Sequence, residues 1–359
     1  MSVGTFNRLI LTKAETTSGT PVALASSGLF SYPFRGDRPT ITIEKTMDMD
    51  GSLAGIVNDG TDSIVTKVLM NMGFETDARL DSLVVLGKHC LGTLAASTGT
   101  APNFVNTISV AQTSLQSFTT YFQDPLNNAG AGEKIWQFPM SKVQRLSIRG
   151  DAGGKIVLAC DIICGEPVDA TGAQVEVALT NTDRDSWAPV TMTPILSMQN
   201  AALTVGGSAV TAKLKAFEIN FENEIDTTDL AATTTLVSNI YRTSFKVSGS
   251  FTLKTDDMAT SLTLMNTLIT KNGTTGITTG RQPSTALVFT LGAAHATGTG
   301  HGAVISIPKA VLDGGNPTGQ RAKLEHQFTF DGLYDVATSK AVDIVVTNES
   351  TTASRYANL

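Results

Sequence analysis

Thr76-Asp-Ala-Arg-Leu-Asp-Ser-Leu-Val-Val-Leu86 and Thr255-Asp-Asp-Met-Ala-Thr-Ser-Leu-Thr-Leu-Met265 read as one segment written twice, 179 residues apart in a chain of 359. Thr76, Asp77, Ser82 and Leu83 match Thr255, Asp256, Ser261 and Leu262. In the first copy Thr76 or Asp77 is placed to cap a helix, and Leu80, Leu83 and Val84 form its apolar stripe. In the second, Thr255 or Asp256 caps, and Met258, Leu262, Met265 and Ile269 follow at helical spacing. Upstream of each segment the pattern changes to period two, the mark of a strand with one buried face. Val68, Met70, Met72 and Phe74 alternate in the first copy, and Val247, Gly249, Phe251 and Leu253 in the second. Ile41-Thr-Ile43-Glu44 has its counterpart in Ile219-Asn-Phe221-Glu222, Ile135–Pro139 in Val304–Pro308, and Lys155–Cys164 in Lys323–Phe330.

The predicted fold is therefore mainly β: a tandem duplicated β-barrel or sandwich, each copy flanked by one short α-helix. The first domain spans 1–170, a polar, turn-rich linker 171–189, and the second domain 190–359, opening near Pro194 with Gly206-Gly207 as a hairpin turn.

Within each copy a long segment separates the first paired strands, about 46–66 and 225–241, beyond the usual loop length of ~12–15 residues. These segments and the strands entering them are acidic. Glu44, Asp48, Asp50, Asp59 and Asp62 stand against Lys45 alone, and Glu218, Glu222, Glu224, Asp226 and Asp229 stand with no Lys or Arg between 217 and 241. Solvated loops and the wall of a channel are both open to such a pattern. A calcium loop is not, because the D-x-D-x-D-G spacing is missing.

Composition narrows the function. Charged residues are 16% of the chain and the formal net charge is −6, with neither half basic, so there is no footprint for gripping a phosphate backbone. Cys90, Cys160 and Cys164 are an odd count without zinc spacing and read as buried packing in a reducing compartment. Leu9-Ile10-Leu11 is too short for the apolar core of a signal peptide, and no run approaches the ~18 apolar residues of a membrane helix. Gly150-Asp-Ala-Gly-Gly-Lys155 is one residue short of a phosphate-binding loop, with Ile156 where Ser or Thr should follow, and reads as a hairpin turn. Gly298-Thr-Gly-His-Gly302 lacks dinucleotide-fingerprint spacing and reads as a flexible loop. His89, His295, His301 and His326 have no nucleophile elbow to serve. Aromatic residues are 6% and scattered, which offers no stacking platform. No catalytic, cofactor or metal residues are assigned.

Three stretches carry a resemblance. Leu11-Thr-Lys13-Ala-Glu15-Thr-Thr-Ser-Gly19-Thr-Pro21 is similar to an opening common in the tail-tube protein family of long-tailed bacteriophages. Gln144–Cys160 resembles that family's Gly-turn hairpin, and Ala202–Val210 followed by Phe217–Glu224 resembles its paired opening strands. The resemblance implies a non-enzymatic virion protein of the tail, built in the host bacterial cytoplasm, whose barrels close rings of six around a continuous inner cylinder. Two barrels per chain then imply a ring of three chains with pseudo-sixfold symmetry, a hexamer of chains being the alternative. The long loops are expected to reach the next ring. Expected partners are further copies, the tape measure, terminator and tip proteins, and double-stranded DNA that passes without specific binding. Glu44, Asp48, Asp50, Glu222, Glu224 and Asp226 become candidate lumen or ring-contact acids, repelling DNA within a Debye length of ~8 Å. A tail-tip, baseplate or head–tail connector ring of the same fold is the alternative function. An adhesin or carbohydrate-binding module would need the aromatic cluster and secretion signal that the sequence lacks, while the conduit of a related contractile secretion or gene-transfer device is a reading the sequence does not exclude.

Overall fold

A computed structural model describes residues 9–24, 28–33, 35, 40–49, 63–122, 134–165, 176–178, 188–189, 193–210, 213–228, 240–255, 284–293, 301–318, 324–351, 355–356 and 359. Among them are twenty strands and one helix. In the first half these are β1 (Leu9–Ala14), β2 (Phe30–Pro33), β3 (Thr40–Met49), β4 (Ser63–Asp77), α1 (Leu80–Leu91), β5 (Gly92–Leu94), β6 (Thr98–Thr100), β7 (Asn103–Val110), β8 (Phe118–Phe122), β9 (Lys134–Asp151) and β10 (Val157–Cys164). Two short strands follow, β11 (Glu176–Ala178) and β12 (Ala188–Pro189). The second half holds β13 (Leu196–Val205), β14 (Ser208–Ala209), β15 (Lys213–Asp226), β16 (Tyr241–Thr255), β17 (Ser284–Ala293), β18 (Gly302–Thr318), β19 (Leu324–Gly332) and β20 (Asp343–Asn348).

The fold is mainly β, a large sheet that is antiparallel except where β12 runs parallel to β2. Pairing follows the order β2–β1–β8–β9–β10–β4–β3 in the first half. In the second it follows β14–β13–β17–β18–β19–β16–β15, element for element in the same chain order. Alternation sets the faces: in β4 Met70, Met72, Phe74 and Thr76 are buried while Asn71, Gly73, Glu75 and Asp77 are half-exposed. In β15 Phe217, Ile219, Phe221 and Asn223 point inward the same way. Gly249 fits its strand because a Cβ there would stand 2.2 Å from the Glu218 carbonyl and 2.6 Å from the Phe330 ring. The expected turn at Gly206-Gly207 forms between β13 and β14 with φ of 58° and 82°. Gly150–Lys155 is the β9–β10 hairpin, with Gly153 at φ 75°.

The first helix begins later than the sequence suggests. Strand β4 runs through Asp77, since Thr76 is buried and donates to the Pro33 carbonyl (2.8 Å), while Asp77 meets Lys155 at 3.2 Å. Arg79 is the N-cap residue, and its N–H donates to the Ser82 hydroxyl at 2.8 Å. Leu80, Leu83, Val84 and Cys90 are fully buried against the sheet, as their stripe predicts. The second predicted helix lies in 256–283, outside the described residues, and Thr255 is the buried last residue of β16. The two long segments are shorter than read from sequence: β3 and β4 stay paired out to Met49 and Ser63, and β15 and β16 out to Asp226 and Tyr241. Their centres, 50–62 and 229–239, lie outside the described residues.

The halves are not separate bodies joined by a string. Residues 145–151 of β9 pair antiparallel with 216–222 of β15, and β20 lies between β18 and β7. A buried carboxylate fixes the N-terminal strand: Glu15 accepts from Gly19 N (2.9 Å), Ser117 Oγ (2.7 Å), Thr119 Oγ1 (2.9 Å) and Met140 N (2.8 Å).

Candidate functional site

Strands β3–β4–β10–β9–β15–β16–β19–β18 form one continuous run, and α1 packs against the inner face of β9 within it. The candidate site is the solvent face of this run together with its two ends. At one end residues 40–45 of β3 pair only with β4 among the described residues, and at the other residues 313–318 of β18 pair only with β19. Strand edges carry unsatisfied N–H and C=O groups and invite pairing with another chain.

The β9–β15 junction shows how two such edges meet in this protein. Asp151 faces Ala216 and Arg145 faces Glu222, with Ile148 opposite Ile219 on the core side. On the solvent side Arg145 donates to Asn220 Oδ1 (3.1 Å) and Ser147 to Glu218 Oε1 (3.1 Å). Beneath the sheet, the buried Asn223 amide donates to the carbonyls of Cys90 (3.0 Å) and Val143 (2.9 Å). Arg242 of β16 reaches the Leu91 carbonyl (3.4 Å) at the C-terminus of α1, the Thr113 carbonyl (3.1 Å) and the Ala111 carbonyl. A cation at a helix C-terminus meets the carbonyls that lack intrahelical partners.

The solvent face is polar and of mixed charge. Arg149 meets Glu75 at 2.5 Å, Arg145 meets Glu218 at 3.6 Å, Lys215 meets Glu325 at 2.7 Å and Lys246 meets Asp331 at 3.3 Å. Of the acids expected from sequence, Glu44, Glu222 and Glu224 are together on this face. Glu44 accepts from the Asn71 amide (2.7 Å) and Glu224 from the Ser244 hydroxyl (2.7 Å), while Glu222 stands in register with Arg145 and Lys246. Asp226 instead closes the turn after β15, accepting from Thr228 N (2.8 Å) and Oγ1 (2.7 Å). Asp48 sits in β3 opposite Ile64, and Asp50 lies outside the described residues. Glu218, one of the acids of the second acidic segment, shares this face; sequence reasoning missed Glu75, Arg145, Arg149 and Lys246, whose common face appears only once the strands are put in order. Asp161, also on this face, has its carboxyl raised by burial, with Arg145 opposing.

The three cysteines and His89 are sealed. Cys90, Cys160 and Cys164 are free and buried, and burial pushes the thiols of Cys90 and Cys164 up to about 12. His89 is buried, stacked on Phe118 at 4.2 Å between ring centroids, and burial pushes its imidazole down to about 3. Among the described residues no group of His, Cys, Asp and Glu is placed to hold a metal ion, and no helix is long and apolar enough to cross a membrane.

Paired and pairable sheet edges beside a polar face are features a structural assembly protein can use. The chain belongs to the phage tail tube protein family, whose family model matches residues 5–332. It is a structural, non-enzymatic protein of the virion tail. A search of curated proteins found no matching sequence.

Proposed function

We propose that this chain is a subunit made of two copies of one tube domain, that three chains close a pseudo-sixfold ring, and that stacked rings make the channel through which double-stranded DNA leaves the particle. The observation that carries the reading is the β9–β15 junction. Because strand order is the same in both halves, β3 corresponds to β15, and the end of β18 corresponds to the end of β9. The edge pair used once inside the chain is thus offered again at its two ends, and repeating it head to tail with a closing rotation generates a ring. The solvent face of the central run then lines the lumen, with Glu44, Glu222 and Glu224 toward the DNA. The assembly takes place in the host cytoplasm, and the tube ends meet the tape measure, terminator and tip proteins.

Native mass spectrometry and electron microscopy of the purified protein test this together. Rings of three chains with six similar lobes are expected. Rings of six chains, or a closed two-fold dimer, would defeat the tandem-domain reading.

A further inference from the structure

The turn between β19 and β20 is built to present apolar side chains to solvent. Leu333, Tyr334 and Val336 are 41%, 49% and 79% exposed. They are nevertheless held in one shape. Leu333 N donates to the Lys309 carbonyl (2.7 Å), and Asp335 and Lys340 exchange backbone hydrogen bonds of 2.8 and 3.2 Å. The Asp335 carboxylate accepts from Thr338 N (3.1 Å) and Thr338 Oγ1 (2.7 Å), and Ser339 takes the left-handed conformation at φ 56°. Ordering cost is therefore met in the free chain, which is what a docking element needs.

A groove of about 690 Å³ lies at the other end of β20. Its lining includes Leu80, Ile195 and Leu196 with the cations Arg79 and Lys155, and Gln199 is exposed beside them. Asn348, the last residue of β20, also lines it, whereas Asp343, the first, leaves the turn. Six residues of strand separate the two features by ~17–20 Å. The inner sheet agrees: Gly332 pairs with Val247, toward the far end of β16 from Thr252, which lies level with Asp151 and the groove-lining β9–β10 turn.

We propose that Leu333, Tyr334 and Val336 of one chain seat in this groove of a second copy, giving an axial contact between successive rings beside that expected of the long loops. The inference rests on the tube reading above. The apolar side chains meet Leu80, Pro194, Ile195 and Leu196 in a lining that also holds Glu349 and the Asp77-paired Lys155, and the half-exposed Asp335 carboxylate approaches the Arg79 guanidinium. Each chain carries one turn and one groove at opposite ends, so the contact is heterologous and propagates without closing, as a filament requires. Three side chains fall short of the ~1,000 Å² that a lasting pairwise interface needs. Chains fixed in a ring engage all their turns at once, and that multivalency makes ring-on-ring binding strong while loose chains stay apart.

The test uses full-length protein assembled into tubes. Val336→Asp, at a site too exposed to unsettle the fold, is expected to leave rings of normal size and abolish tubes in electron micrographs. Val336→Cys combined with Gln199→Cys is expected to give, on oxidation of tubes, disulfide-linked products larger than one ring's complement of chains, which neither single variant gives. Normal tubes from Val336→Asp, or tubes of the double variant that yield no such product, overturn the contact and leave the tube reading standing. Wild-type protein that forms neither rings nor tubes overturns both.

Discussion

Replacing His89 by Phe should remove a defined part of the protein's acid sensitivity. The imidazole is buried in α1, stacked on Phe118, and its Nε2 has no hydrogen-bond partner among the described residues. Burial, reinforced by the neighbouring Lys88 charge, lowers its pKa from 6.5 to about 3. The unfolded chain therefore takes up a proton near pH 6.5 that the folded chain refuses. Stability from this group is complete above pH 6.5 and is lost as pH falls toward the folded value. Over that interval each pH unit costs about 1.4 kcal/mol once the unfolded histidine is protonated, so the loss between pH 7 and pH 5 is about 2 kcal/mol. Urea unfolding at pH 7, 6 and 5 measures it, with His89→Phe as the reference in which all other titrations remain. The wild type should lose about 2 kcal/mol more than the variant across that range. Parallel slopes, or an imidazole signal titrating near pH 6.5 in the folded protein, would refute the assignment.

Asp81→Ala removes the carboxylate that meets Arg355 at 2.5 Å and accepts from the Tyr356 hydroxyl (2.5 Å) and the Asn348 amide (3.2 Å); a loss of about 3–5 kcal/mol is expected in chemical denaturation. Glu15→Ala strands four donors at once, and since each buried unsatisfied group costs ~1–3 kcal/mol, the variant should unfold with at least about 3 kcal/mol less stability, or accumulate insoluble. The buried thiols of Cys90, Cys160 and Cys164 should resist iodoacetamide at pH 8 in the folded chain and all react in guanidinium; rapid alkylation of native protein would contradict their burial.

What the sequence made legible was local. Alternation in Met70–Phe74 and Val247–Leu253 placed strands β4 and β16, and the stripe Leu80, Leu83, Val84 placed α1, because period and burial are set by a residue's near neighbours. The helix start was misplaced because Thr76 and Asp77 have the chemistry of caps but are held by Pro33 and Lys155, partners far away in sequence. Asp81 looks like an acid favouring a helix N-terminus, yet its partners are Asn348, Arg355 and Tyr356. Asn223 and Arg242 look like ordinary polar strand residues, and only the docking of β15 and β16 against α1 shows them capping its carbonyls. The paired acidic segments were visible, but not the cations facing them, because a mixed-charge face is assembled from strands 70 and more residues apart.

On the proposed reading, the charge pattern on the central face follows from what a passage for DNA must avoid. Exposed ion pairs such as Arg149–Glu75 and Lys246–Asp331 contribute only ~0–1 kcal/mol each, so stability is a weak reason for their recurrence. An unpaired arginine on a wall that DNA passes would bind phosphate through counterion release, and each such contact adds about 0.9 to the slope of log affinity against log salt. Arg145, Arg149, Lys155, Lys215 and Lys246 each stand within ion-pair distance of a carboxylate, which already occupies the cation. If this face lines the tube, as proposed, Glu44, Glu222 and Glu224 set its sign, and at ~8 Å Debye length their repulsion acts only on DNA close to the wall. On the proposed reading the cations serve the sheet, fastening β9 to β15 and β16 to β19, while their paired carboxylates keep them from holding the DNA that slides by.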